Sequence, residues 1–238
     1  MSFRFRHFLV EDSRSTMKVG TDAMLLGSWV QPGTALSILD LGTGCGILAL
    51  MMAQVSGARI DAIDIHRPSV DEAEYNVSQS PWAGRIHVVH RSVEKHSRLA
   101  GNMYDIIISN PPFFNNSLKP SSAKKLLAKH EYALTLEILL ECSMKLMHVE
   151  SSLCLILPVK EAKLFTLMAL GKGLFPVRRL IVRPSPSKQA HRTLIEFRFK
   201  SILQPVEDDL IILDPGNQFS EKYLSMTQNF HLFNPKKT

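Results

Sequence analysis

From residue 36 onward the chain alternates short apolar runs with segments of helical period, and that alternation admits few folds. Runs that are apolar on both sides need cover on both faces, which a parallel sheet wrapped by its own crossover helices provides. Strands are predicted at residues 36–41, 59–65, 86–89, 104–109, 152–157, 177–183 and 192–200, with helices at 47–55, 68–79, 135–147 and 160–170. Pro68 suits the first turn of its helix, where the missing N–H is not needed, and Pro158 ends the fifth strand. Only a short segment containing Pro184, Ser185 and Pro186 separates the last two strands, so they lie close enough to pair antiparallel. The expectation is an α/β, doubly wound sheet of seven strands that ends in an antiparallel hairpin. At 238 residues a single domain is expected, with residues 1–35 as an N-terminal extension, 36–200 as the core and 201–238 as a C-terminal extension.

Composition removes several classes of protein. Hydrophobic residues at 45% and charged residues at 21% predict an ordinary buried core rather than disorder. The longest apolar run, residues 47–55, is interrupted by Gln54 and is far shorter than the ~20 residues that span a bilayer. The N-terminus alternates apolar and basic residues and lacks the apolar stretch of a signal peptide, so a cytoplasmic protein is expected. Cys45, Cys142 and Cys154 are odd in number and show no CxxC spacing, which predicts reduced, buried thiols instead of a disulfide framework or zinc site. His87, His90, His96 and His148 show neither HxH nor HExxH spacing, and no metal is expected. The net charge of +6 fits a polyanionic partner. Its distribution is uneven: Lys172, Arg178, Arg179, Arg183, Lys188, Arg192, Arg198 and Lys200 face a single acid, Glu196, while Lys119, Lys124, Lys125 and Lys129 form a second cluster.

Asp40-Leu41-Gly42-Thr43-Gly44-Cys45-Gly46 follows the first strand of the core. Glycines at alternate positions let the backbone turn sharply and let a ligand lie against it, since no Cβ blocks the approach. The spacing is GxGxG and not the dinucleotide GxGxxG, and Asp40 would repel a pyrophosphate but attract a cationic ligand such as S-adenosylmethionine, with its sulfonium and ammonium. Asp64, at the end of the second strand, stands where a carboxylate accepts hydrogen bonds from both hydroxyls of a ribose.

Ser109-Asn110-Pro111-Pro112-Phe113-Phe114 follows the fourth strand, at the carboxyl edge where open α/β sheets bind ligands. An exocyclic amine on a base is a poor nucleophile because its lone pair is delocalised into the ring. Accepting its hydrogens localises that pair, a task for which the Asn110 side-chain carbonyl and the Pro111 backbone carbonyl are suited, held by the stiffness of Pro111 and Pro112. Phe113 offers a flat surface for a stacked planar group.

With these two loops, the sequence resembles the S-adenosylmethionine-dependent amino methyltransferases. The stretch from Met17 through Lys18, Thr21 and Asp22 to Trp29, and the Ala190-His191-Arg192 segment, narrow the likeness to bacterial tRNA methyltransferases that act on N6 of adenine 37 in a valine tRNA. The resemblance covers nearly the whole chain and implies a Rossmann-like methyltransferase sheet with S-adenosylmethionine as cofactor and tRNA as partner. It further implies that Asp40, Gly42, Gly44 and Gly46 hold the methionine part of the cofactor, Asp64 its ribose and Ser92 its adenine, with Lys18, Thr21 and Asp22 closing the pocket. Asn110, Pro111, Pro112 and Phe113 would hold the target adenine, flipped from the anticodon loop, and Lys129 a phosphate. Arg183 and Arg192 of the basic hairpin are candidate RNA contacts. The rival readings are an rRNA guanine N2-methyltransferase, a release-factor glutamine methyltransferase, and an RNA-binding module on the same fold that has lost catalysis. Phe113 and the basic clusters favour a nucleobase over a protein amide.

Overall fold

The computed structural model describes residues 1–99, 103–112 and 134–231. Ten strands are assigned among them. An antiparallel ribbon, β1 (Ser2–Arg4) with β2 (Leu9–Glu11), precedes helix α1 (Thr21–Trp29). The core then runs β3 (Ser37–Leu41), α2 (Ile47–Val55), β4 (Arg59–Asp64), α3 (Arg67–Ser78), β5 (Ile86–His90), α4 (Val93–Arg98) and β6 (Tyr104–Ser109). It continues through α5 (Leu136–Leu146), β7 (Met147–Pro158), α6 (Val159–Gly171), β8 (Phe175–Arg183) and β9 (Arg192–Arg198), and closes with β10 (Val206–Ile211) and α7 (Glu221–Thr227).

All seven expected strands lie in one sheet, with β8 and β9 paired antiparallel as predicted. The sheet has an eighth strand, because β10 adds parallel to the outer side of β8 in the order β10-β8-β9-β7-β6-β3-β4-β5. Period-2 alternation explains the layering. Ile38, Ile106, Ile108, Cys154 and Ile156 join one core with residues of α1 and α2, whereas Leu39, Leu41, Ile107, Leu153, Leu155 and Leu157 join another with residues of α4, α5 and α6. Phe5, Phe8 and Val10 from the N-terminal ribbon, with Tyr223 and Phe230 from the C-terminal segment, belong to the first of these cores. Arg6 N–H donates to the Phe230 carbonyl at 3.0 Å, tying the two ends of the chain together. All three cysteines are free and buried, and burial pushes the Cys45 thiol up to about 12.

The strand directions place Leu41, Asp64, His90, Ser109 and Pro158 on one edge of the sheet. Antiparallel β9 starts on that same edge, since Arg192 is opposite Pro158. The loops after these strands are therefore neighbours.

Candidate active site

At the turn after β3, Gly42, Gly44 and Gly46 adopt φ of 72°, 57° and 85°, a region L-residues with side chains rarely enter. A Cβ at Gly42 or Gly44 would meet nothing within 4 Å, so the protein itself does not fill that space. At Gly46 a Cβ would come within 3.3 Å of the Ala73 Cβ. Gly46→Ala combines that contact with a left-handed backbone and should destabilise the fold by about 1–2 kcal/mol, measurable as a lower urea midpoint.

The loop is held from three sides. Gly42 and Thr43 N–H groups both donate to the Ile63 carbonyl at 2.9 Å, and Gly44 N–H donates to Asp64 Oδ2 at 2.9 Å. His66 N–H donates to Asp64 Oδ1 at 2.8 Å, so each Asp64 oxygen accepts one backbone bond and keeps lone-pair capacity for a hydroxyl donor. Asp40 is fully enclosed; its Oδ2 accepts from Thr43 Oγ1 at 2.6 Å and Ala49 N–H at 3.1 Å, while Oδ1 is buried without a partner. Burial pushes the Asp40 carboxyl up to about 7, against the pull of the Thr43 and Ala49 bonds, and the nearby Asp64 carboxylate adds to the rise.

Ser109 connects the two predicted loops. Its Oγ donates to the Leu41 carbonyl at 2.7 Å, which fixes the start of the Asn-Pro-Pro segment against the start of the glycine loop. Asn110 is half-buried, and its Oδ1 is buried with no hydrogen-bond partner among the described residues. A buried acceptor left unsatisfied is costly and is the expected state of a group reserved for a ligand. Pro111 is buried beside it and Pro112 half-buried. Phe113 and Lys129 lie outside the described residues, as do Lys119, Lys124 and Lys125.

Ser92 caps α4 by accepting from Lys95 N–H at 3.2 Å, which leaves its hydroxyl oxygen a second lone pair with which to accept. Lys18 donates to the backbone carbonyls of Asp12 and Ser13, so it braces its own segment. Thr21 is exposed in the first turn of α1. Asp22 accepts from Arg192 Nε at 2.7 Å, making one ion pair of two residues expected to act separately on cofactor and RNA.

Sequence reasoning passed over the residues that seat the N-terminal segment. Glu72 on α3 is buried and accepts from Ser13 Oγ, Arg14 N–H, Ser15 N–H and Ser15 Oγ. Burial pushes its carboxyl up, but these bonds outweigh that effect and hold it below the ordinary value. Asn76 donates to both the Glu11 and Cys45 carbonyls at 2.8 Å, bridging the segment to the glycine loop. The legible signal was periodicity: Ser69, Glu72 and Asn76 occupy the core-facing stripe of α3 together with Val70, Ala73 and Val77. Glu72→Ala should lower unfolding free energy by about 3 kcal/mol in urea titration, because four donors lose a buried anionic acceptor.

The basic hairpin is mostly compensated within the fold. Arg178 and Arg198 share Glu196 at 3.0 and 2.7 Å, Arg179 pairs with Glu207 at 2.9 Å and Arg183 with Asp209 at 3.4 Å. Arg178 also lies 3.9 Å over the Trp29 ring. Among the described residues, no group of three or more His, Cys, Asp or Glu could hold a metal ion, and no helix is long and apolar enough to cross a membrane.

A doubly wound sheet with an acidic glycine loop at its centre and an Asn-Pro-Pro segment one strand away is the arrangement of a class I methyltransferase. The family model of the methyltransferase small domain matches residues 13–137. Proteins named tRNA1(Val) (adenine(37)-N6)-methyltransferase are similar along nearly their whole length. The one from Parabacteroides distasonis is 37% identical over 230 residues, 97% of each chain, and the one from Trichodesmium erythraeum 36% identical over 234 residues, again 97% of each. The one from Erwinia tasmaniensis is 33% identical over 236 residues, covering 97% of this chain and 95% of that protein. Among solved structures, a predicted O-methyltransferase from Agrobacterium tumefaciens shares the fold with a TM-score of 0.69 at 20% identity, over 88% of this chain and 96% of that one. The chain belongs to the methyltransferase small domain family and, within it, to the family of the tRNA1(Val) (adenine(37)-N6)-methyltransferases.

Proposed function

We propose that this protein is a cytoplasmic enzyme that transfers a methyl group from S-adenosylmethionine to N6 of adenine 37 in a valine tRNA. The observation that carries the reading is the buried, unpartnered Oδ1 of Asn110, fixed through Ser109 to the glycine loop. The names of the full-length relatives supply the base and the tRNA. The donor set fits the cofactor: glycines with open space beside them, an enclosed acid with a free oxygen at Asp40, and a carboxylate with spare lone pairs at Asp64. When bound, S-adenosylmethionine supplies a methyl carbon activated by a sulfonium.

In this reading Asp64 accepts from the ribose hydroxyls, the Ser92 hydroxyl oxygen accepts from the amino group of the cofactor adenine, and Asp40 with the glycine turn receives the cationic methionine end. Lys18, which braces the segment ahead of α1, and Thr21, which opens that helix, help close the cofactor pocket. Asn110 Oδ1 accepts one hydrogen of the target amine and the Pro111 carbonyl the other. Both bonds localise the nitrogen lone pair and orient it, and both strengthen as the nitrogen becomes cationic during transfer. Phe113 stacks on the base, and Lys129 meets a phosphate. No general base is needed before transfer, because the amine hydrogens become acidic only as the new N–C bond forms.

The test is transfer of labelled methyl from S-adenosylmethionine to unmodified tRNA, rRNA and protein extract in parallel. Label recovered as N6-methyladenosine from tRNA alone supports the assignment. Label in protein, or as methylguanosine in rRNA, would move the enzyme to another amine acceptor, and the absence of transfer would favour a module that only binds RNA.

A further inference from the structure

The ion pairs of the hairpin change where RNA can be held. A phosphate approaching Arg179 or Arg183 must compete with Glu207 or Asp209, and Asp208 stands between those acids on β10. Release of counterions, the main source of affinity for nucleic acid, is small where protein carboxylates already neutralise the cations. The edge formed by β8 and β10 is thus poorly suited to a polyanion despite its arginines.

Lys160, Lys163 and Lys188 differ. All three are exposed, and among the described residues none has a carboxylate within ion-pair distance. Lys160 and Lys163 lie three apart near the start of α6 and so share a helix face. Glu161 is one residue on from Lys160, about 100° around the helix. Lys160, in the first turn, opposes the helix dipole, which makes its position unfavourable for stability alone. Lys188 sits in the turn between β8 and β9, where its N–H donates to the Ser185 carbonyl at 3.1 Å.

Topology brings these lysines to the active-site edge. Helix α6 begins directly after Pro158, the last residue of β7, and Pro158 is opposite Arg192 at the far end of the β8–β9 turn. Strand β7 pairs with β6, whose last residue, Ser109, precedes Asn110. The two lysine-bearing segments therefore lie on the same edge of the sheet as the Asn-Pro-Pro segment, the start of α6 one strand away and the β8–β9 turn two to three strands away.

We propose that Lys160, Lys163 and Lys188 form the docking surface for the phosphodiester backbone of the substrate RNA, and that the arginines of β8 and β9 serve the fold instead. This rests on the reading of the protein as a tRNA methyltransferase. The occupant is RNA because the three cations, unpaired among the described residues, complement a polyanion and lie on the edge that presents Asn110; Leu164 and Leu167 are exposed on the same helix but offer nothing to a phosphodiester backbone.

The test is binding of an unmodified valine tRNA transcript across a salt series to the full-length protein and to Lys160→Glu/Lys163→Glu, Lys188→Glu and Arg59→Glu. Arg59 starts β4 on the opposite edge, so its reversal makes a charge change equal to that of Lys188→Glu far from the proposed surface. The lysine variants should bind at least about tenfold more weakly, with a salt slope shallower by about one per lysine, while Arg59→Glu matches the parent. Retained affinity for S-adenosylhomocysteine checks that each variant is folded. Parent-like binding by both lysine variants, or equal weakening by Arg59→Glu, would overturn the surface while leaving the enzyme's assignment intact. A parent protein that binds no tRNA would remove the assignment itself and the surface with it.

Discussion

Asn110→Ala should reduce methyl transfer to tRNA by at least about a hundredfold, the scale seen when one preorganised polar group is removed from a reacting centre. The loss should fall on kcat and leave cofactor affinity nearly unchanged. Among the described residues Oδ1 is buried without a partner, so truncation removes no hydrogen bond between it and them. What it removes is an acceptor whose bond to the amine grows stronger toward the transition state. Single-turnover transfer with calorimetry of S-adenosylhomocysteine binding separates the two quantities. A kcat within tenfold of the parent would mean that the amide does not accept from the substrate, and a large loss of cofactor affinity would move Asn110 to the other half of the site.

Asp40→Asn should raise stability at alkaline pH and weaken cofactor binding together. Burial lifts the Asp40 carboxyl from 3.8 to about 7, so between those values the folded state holds a proton that the unfolded state has released. Stability from this group is therefore present below the unfolded value and is lost as pH rises through the folded one, by up to about 4 kcal/mol for a shift of this size. The asparagine keeps an oxygen for the Thr43 and Ala49 donors and cannot ionise. The melting temperature of the variant should match the parent near pH 4 and exceed it at pH 8 by several degrees. A cation binds best to the ionised acid, so parent affinity for S-adenosylmethionine should tighten from pH 6 to pH 8 while that of the variant stays flat. Parallel pH profiles would show that Asp40 is uninvolved in charge recognition.

The centre of the sheet is legible from sequence because its residues report on their own surroundings. Ile106, Ile107 and Ile108 are apolar whichever face they take, and a strand buried on both faces is the only short element that asks for this. The glycine loop is legible for a similar reason, since its backbone angles exclude side chains at Gly42, Gly44 and Gly46. Elements at the margins carry weaker marks. Strand β10 reads Val-Glu-Asp-Asp-Leu-Ile and is largely exposed at the sheet edge, so its polar character conceals it. Helix α1 is buried nearly all round, which erases the amphipathic period that would announce it. Cation counting failed to separate paired from unpaired residues, because the partners of Arg179, Arg183 and Arg192 are Glu207, Asp209 and Asp22, remote along the chain. The Ser109 bond to Leu41 was hidden in the same way.

Strand β10 has a consequence for how the chain can be shortened. The residues assigned to cofactor and base all precede residue 200, and a truncation there would look harmless by that criterion. It would turn β8 into the outermost strand, exposing a row of backbone donors and acceptors along Arg178–Arg183 that β10 now covers. Open edges of that kind recruit other chains. The acidic tail thus acts as a guard against self-association, and a shortened enzyme should fail through aggregation before it fails through chemistry.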